Sequence, residues 1–121
     1  MKVYSSNFVL KGKSDYKDLA PVFPEILKSF LEEIGQMPAE EELFQMFLEL
    51  NMVDLEQNRK PEGYNRKGKI RMIFPTNRKE FYLKSFNRNT DLSKITQKIS
   101  SYLDSAGVKY EILVDNDINF G

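Results

Sequence analysis

The chain has 121 residues with 18 Lys or Arg and 18 Asp or Glu, and it contains neither Cys nor His. Its length suits one domain with a single core, and its apolar runs of a few residues fall far short of the ~20 that a membrane-spanning helix needs. Without Cys and His there is no disulfide framework, no Ser-His or Cys-His nucleophile pair and no zinc site of the usual kind.

The zero net charge hides a segregated layout. Residues 59–98 hold twelve Lys or Arg against three acids, whereas residues 15–57 hold eleven acids against Lys17 and Lys28. Such layouts say more about partners than the total does. The opening MKVYSSNFVLKGK carries no signal-peptide apolar core, so a cytoplasmic location is expected.

In chain order, residues 3–9 alternate as a first strand, and Gly12 and Ser14 mark a turn. Leu19, Val22, Phe23, Ile26, Leu27, Phe30, Leu31 and Ile34 then recur at helical spacing, which predicts a helix over 24–34 with Pro24 in its first turn and Gly35 as its stop. A second helix is expected over 38–51, with Pro38 at its start and Glu40, Glu41 and Glu42 in the first turn, where the helix dipole favours acids. Its apolar residues Leu43, Phe44, Met46, Phe47, Leu48 and Leu50 cover more than half the circumference. A helix of that kind is either deeply buried or offers a second apolar face to a partner.

Residues 58–68, NRKPEGYNRKG, read as a basic loop. Two strands follow at 69–74 and 81–86, joined through 75–79 as a hairpin with a basic tip. Thr90 is a reasonable N-cap for a third helix whose stripe is Leu92, Ile95, Ile99, Tyr102 and Leu103, ended by Gly107. Residues 108–114 form the last strand, and the polar tail DNDINFG reads as frayed. The expected fold is a single α+β domain over 1–121, order β-α-α-β-β-α-β, with a small mixed sheet, helices mainly on one face, and the third and fourth strands parallel.

Two surfaces draw attention. Along the hairpin and its margins lie Arg66, Lys67, Lys69, Arg71, Arg78, Lys79, Lys84 and Arg88, with Tyr64, Tyr82 and Phe86 as rings. Cations that meet phosphates and flat rings that stack on unpaired bases are the chemistry of nucleic-acid contact. The bland reading is a solvated hairpin whose charges discourage edge-to-edge aggregation. The second surface is the acidic, apolar second helix, where Glu40, Glu41, Phe44, Phe47 and Leu48 would form a protein interface. Its bland reading is a solvated helix face.

The segment IGQMPAEEEL, residues 34–43, resembles the LGRxPTxEEL linker of bacterial sigma factors and similar helix-turn-helix proteins over about ten residues. That resemblance implies a winged-helix-like DNA contact. The following FQMFLELNMV departs from the pattern, because it lacks the small residue and Gly that let a recognition helix turn. Gly63 and Gly68 are followed by no Lys-Ser/Thr pair, so there is no phosphate loop. The tail lacks the Gly and bidentate Glu of a calcium loop. Asp or Glu with Lys or Tyr could still run a hydrolase or a Mg²⁺-dependent nuclease, although no spacing singles out a pair.

The sequence therefore reads as a non-catalytic cytoplasmic binding domain with no cofactor and no metal. Nucleic-acid contact through residues 64–88 leads. The alternative is a protein inhibitor, immunity protein or phage counter-defence factor that binds through its acidic, apolar helices. A homodimer through oppositely charged faces is a further expectation.

Overall fold

The computed structural model describes residues 3–64, 70–85 and 92–118, with the side chains of Val3 and of residues 115–118 left aside. Strand β1 spans Val3–Leu10, a 3₁₀ turn Tyr16–Leu19, helix α1 Phe23–Glu33, helix α2 Glu41–Glu56, strand β2 Ile70–Ile73, strand β3 Glu80–Ser85, helix α3 Leu92–Ser105 and strand β4 Tyr110–Ile118. The order is the expected β-α-α-β-β-α-β, and the class is α+β.

The sheet runs β2-β3-β1-β4. Each neighbouring pair is antiparallel, with Phe8 opposite both Phe81 and Ile112, and Met72 opposite Leu83. The expected mixed sheet is corrected to a wholly antiparallel one. β3 and β4 do run in the same direction, but β1 lies between them and takes the hydrogen bonds of both. β1 and β2 are related in the same way across β3. These strand orders and directions are those of two interleaved split β-α-β units, the ferredoxin-like arrangement, here with an added helix in the first connection.

The period-two pleat sorts the strands into two faces. Ser6, Phe8, Leu10, Ile70, Met72, Phe81, Leu83 and Ser85 face the helices and are buried. The α1 stripe packs there: Phe23, Ile26, Leu27, Phe30 and Leu31 are fully or almost fully buried. The rings of Phe8 and Phe81 stack at 4.8 Å, and those of Phe81 and Phe74 at 5.1 Å. Thr96 of α3 reaches the same face, where its Oγ1 donates to Ser6 Oγ at 2.9 Å.

Among the described residues, α1, α2 and α3 end in the same way. Gly35, Asn58 and Gly107 take φ of +70°, +57° and +72°. The residue after each donates back to the carbonyl five positions earlier: Gln36 to Leu31, Arg59 to Asp54 and Val108 to Leu103. This is the Schellman closure, in which a left-handed residue satisfies the last carbonyls. Asn58 does what glycine does elsewhere, which is why α2 runs to Glu56 and past the expected end at 51. The start of α2 is also later than expected, because Glu40 in extended conformation is the N-cap and Pro38 lies outside the helix. At the other end of the chain, β4 continues to Ile118 beside β1, with Val3 opposite Ile118. Residues 115–118 are therefore strand and not a frayed tail.

Folding brings the two charge blocks together. Lys98 Nζ lies 2.6 Å from Glu33 Oε1, with Lys94 Nζ 3.6 Å from the same oxygen. Lys79 pairs with Asp15 at 2.8 Å and Arg59 with Asp54 at 3.0 Å. Surface pairs of this sort add little to stability, but they neutralise cations that would otherwise define a basic patch.

Candidate functional site

The expected nucleic-acid surface is only partly assembled. Tyr64 is a core residue: its ring meets Phe30 and Phe47 edge-on at 5.8 and 5.9 Å, and its hydroxyl donates to Gln36 Oε1 at 2.7 Å. Its expected role as a stacking platform is corrected, because a ring held on two sides in the core has no face left for a base. At the hairpin tip, Arg78 Nε is 3.0 Å from the buried carboxylate of Glu80, and Lys79 is held by Asp15. Burial pushes the Asp15 carboxyl up, but hydrogen bonds from Lys79, the Tyr16 N–H and Asn58 outweigh it and hold the group below the usual carboxylate range. Arg71, Tyr82 and Lys84 do share the sheet face away from the helices, Arg71 directly opposite Lys84 and Tyr82 opposite Ile73. Arg66, Lys67, Lys69, Phe86 and Arg88 lie outside the described residues, as does Thr90.

The second surface is better formed. α2 carries two apolar rows, and the fold uses one of them. Phe44, Phe47, Leu48, Met52 and buried Leu55 point at the core. The expected interface residues Phe44, Phe47 and Leu48 are thereby corrected to inward-facing positions, because they cover the core cluster from above α1. The other row is Leu43, Met46, Leu50 and Val53, exposed at 41, 46, 51 and 52%. Their spacing of three, four and three residues puts them in one line along the helix, at the a and d positions of a heptad. Single exposed apolar residues are ordinary, whereas a continuous line of four on one helix is an unusual feature that makes this face a candidate site. Leu43, Met46 and Leu50 belong to the run that made the helix too apolar for its length. The signal that separates the two rows is their helical phase, and Val53 completes the outer one.

A hydrogen-bonded latch sets which row faces out. Asn51, 2% exposed, sits in the middle of the inner row. Its Oδ1 accepts from the Gly63 N–H at 2.7 Å, and its Nδ2 donates to the carbonyls of Phe47 and Gly63 at 2.9 and 3.4 Å. Gly63 has φ +73°, and a Cβ there would stand 2.5 Å from the Met72 carbonyl oxygen. That close approach lets Tyr64 exchange backbone hydrogen bonds with Met72 at 2.8 and 2.9 Å. α2 is thus tied through Asn51 and Gly63 to the edge strand β2.

The rim of the outer row is acidic. Glu42, Glu49 and Glu56 are exposed and recur every seven residues beside it, and residues 41–56 contain five acids and no cation. Among the described residues, Glu40, Glu41, Glu42, Glu49 and Glu56 make no ion pair, in contrast to Asp15, Glu33 and Asp54. A shallow groove of about 690 Å³ along the first half of the helix is lined by Glu40, Glu41, Glu42, Gln45, Met46 and Glu49. Glu40 and Glu41 therefore keep their expected place at the surface. No protein-family model, curated protein or solved structure matches this chain.

Proposed function

We propose that this is a protein-binding domain that docks its partner on the outward face of α2. The observation that carries the reading is the line of Leu43, Met46, Leu50 and Val53, each about half exposed on a helix whose other apolar face is already used by the core. Each side chain has about half of its surface left to bury. On the scale of ~1.5–3 kcal/mol for a fully buried aliphatic side chain, completing burial would contribute about 1 kcal/mol apiece. The reading places the domain in the cytoplasm, where a cysteine-free chain needs no oxidising compartment. Among the described residues no helix is long and apolar enough to cross a membrane.

The test is a photo-crosslinker at Leu50, with a control at Leu113 on β4, followed by reconstitution with the purified crosslinked protein. Met46→Gln with Leu50→Gln is expected to weaken the reconstituted complex by at least tenfold and to move folding stability by less than about 0.5 kcal/mol, as for exposed sites. Undiminished affinity would refute the reading.

A second reading rests on Arg71 lying opposite Lys84, beside Tyr82, on the sheet face away from the helices: single-stranded nucleic acid laid across the sheet. It predicts salt-sensitive retention on heparin that falls when Arg71 and Lys84 are both changed to Glu.

A further inference from the structure

We infer that the partner docks an amphipathic helix that carries Lys or Arg along one flank of its apolar stripe. This rests on the reading of α2 as the docking face and names the chemistry that face selects. In heptad terms Leu43 and Leu50 occupy a, Met46 and Val53 occupy d, and Glu42, Glu49 and Glu56 occupy g, the flank that sets partner choice and orientation in paired helices. The four outer residues run from 43 to 53, about 15 Å at 1.5 Å per residue, so the complementary segment is about three helical turns.

A second copy of the chain does not fit the flank. Antiparallel pairing of two α2 helices brings like flanks together and sets the Glu42–Glu49–Glu56 row against its own copy. Parallel pairing sets Glu49 against Asp54 of the other copy and Glu42 against Phe47, so neither meets a free cation, Arg59 being already engaged by Asp54 at 3.0 Å. Like charges in register oppose association. Elsewhere on the fold Asp15 is matched by Lys79, Glu80 by Arg78, Glu111 by Lys11, and Glu33 by Lys94 and Lys98. The α2 row is left to be matched from outside, and a cationic flank supplies the complementary potential.

The experiment uses the full chain and three synthetic helical peptides with one common Leu stripe and Lys, Gln or Glu at the flanking positions, followed by fluorescence anisotropy. The Lys peptide is expected to bind at least tenfold more tightly than the Gln peptide at low salt, and the Glu peptide more weakly still. The advantage should shrink as salt rises. In Glu42→Lys with Glu49→Lys the order should invert. Equal affinity for the Lys and Glu peptides would overturn the inference and leave α2 as the docking face. Undiminished binding of the Lys peptide to the Leu50→Glu variant, shown folded by circular dichroism, would overturn both. Failure of all three peptides to bind would overturn the inference alone, because the crosslinked partner tests the docking face independently. A dimer of the wild-type chain in sedimentation that Leu50→Glu dissolves would replace the basic helix by a second copy.

Discussion

Asn51→Ala isolates the latch that orients α2. The substitution removes the Oδ1 acceptor of the Gly63 N–H, a 2.7 Å bond, and both Nδ2 contacts to backbone carbonyls. A buried amide left without a partner costs about 1–3 kcal/mol, and the weaker carbonyl contacts together with the small void raise the expected loss to about 2–3 kcal/mol. That is a large share of the roughly 6–18 kcal/mol expected of a chain this long. With a urea dependence of about 1–3 kcal/mol/M, the unfolding midpoint should fall by roughly 0.7–3 M with an unchanged slope. Circular dichroism follows the transition, and amide exchange at Gly63 reports the site directly. Protection at Gly63 is expected to fall more than at Phe30 or Leu83 in the core. A change below about 0.5 kcal/mol with Gly63 protection intact would refute the argument that this hydrogen bond fixes the helix.

Other consequences are open to measurement. Gly63→Ala places a Cβ 2.5 Å from the Met72 carbonyl oxygen at φ +73°, so thermal unfolding should reveal a loss of about 2 kcal/mol or more; a silent substitution would contradict the close approach. Thr96→Val removes a buried hydroxyl that is hydrogen-bonded to Ser6 Oγ and to the Leu92 carbonyl, with an expected cost of about 1–2 kcal/mol in urea, and a neutral result would show that the pair adds nothing to α3 docking. The Asp15 carboxyl titrates below its ordinary value. Its contribution to stability is therefore fully present above the unfolded value of about 3.9 and is lost as pH falls through the lower folded value. Lys79→Gln should flatten that acid limb, and an unchanged limb in denaturation curves from pH 5 to pH 2.5 would deny Lys79 the role.

The residues of α1 show how much was legible in the chain. Its stripe has a single phase, so Phe23, Ile26, Leu27, Phe30 and Leu31 had one way to lie, and all are buried. Gly35 and Gly107 announced two helix ends because glycine adopts positive φ without strain. Asn58 ended α2 with the same geometry, but asparagine also serves within helices and loops, and its role became visible only in its backbone angle. The hairpin gave its inner face by alternation alone. The charge blocks were less informative, since linear separation of Lys79 from Asp15, or of Lys98 from Glu33, does not survive folding.

α2 marks the boundary between the two kinds of knowledge. The sequence by itself determined that this helix has apolar residues on more than one side and acids at its start, and so that part of it faces a partner or a deep core. It did not decide between the row of Leu43, Met46, Leu50 and Val53 and the row of Phe44, Phe47, Leu48 and Leu55, because helical periodicity is satisfied equally by either. Tertiary structure made that choice. Asn51 has to meet the Gly63 backbone and Phe47 has to meet Tyr64, and once those contacts between distant parts of the chain form, the other row has nowhere to go but outward.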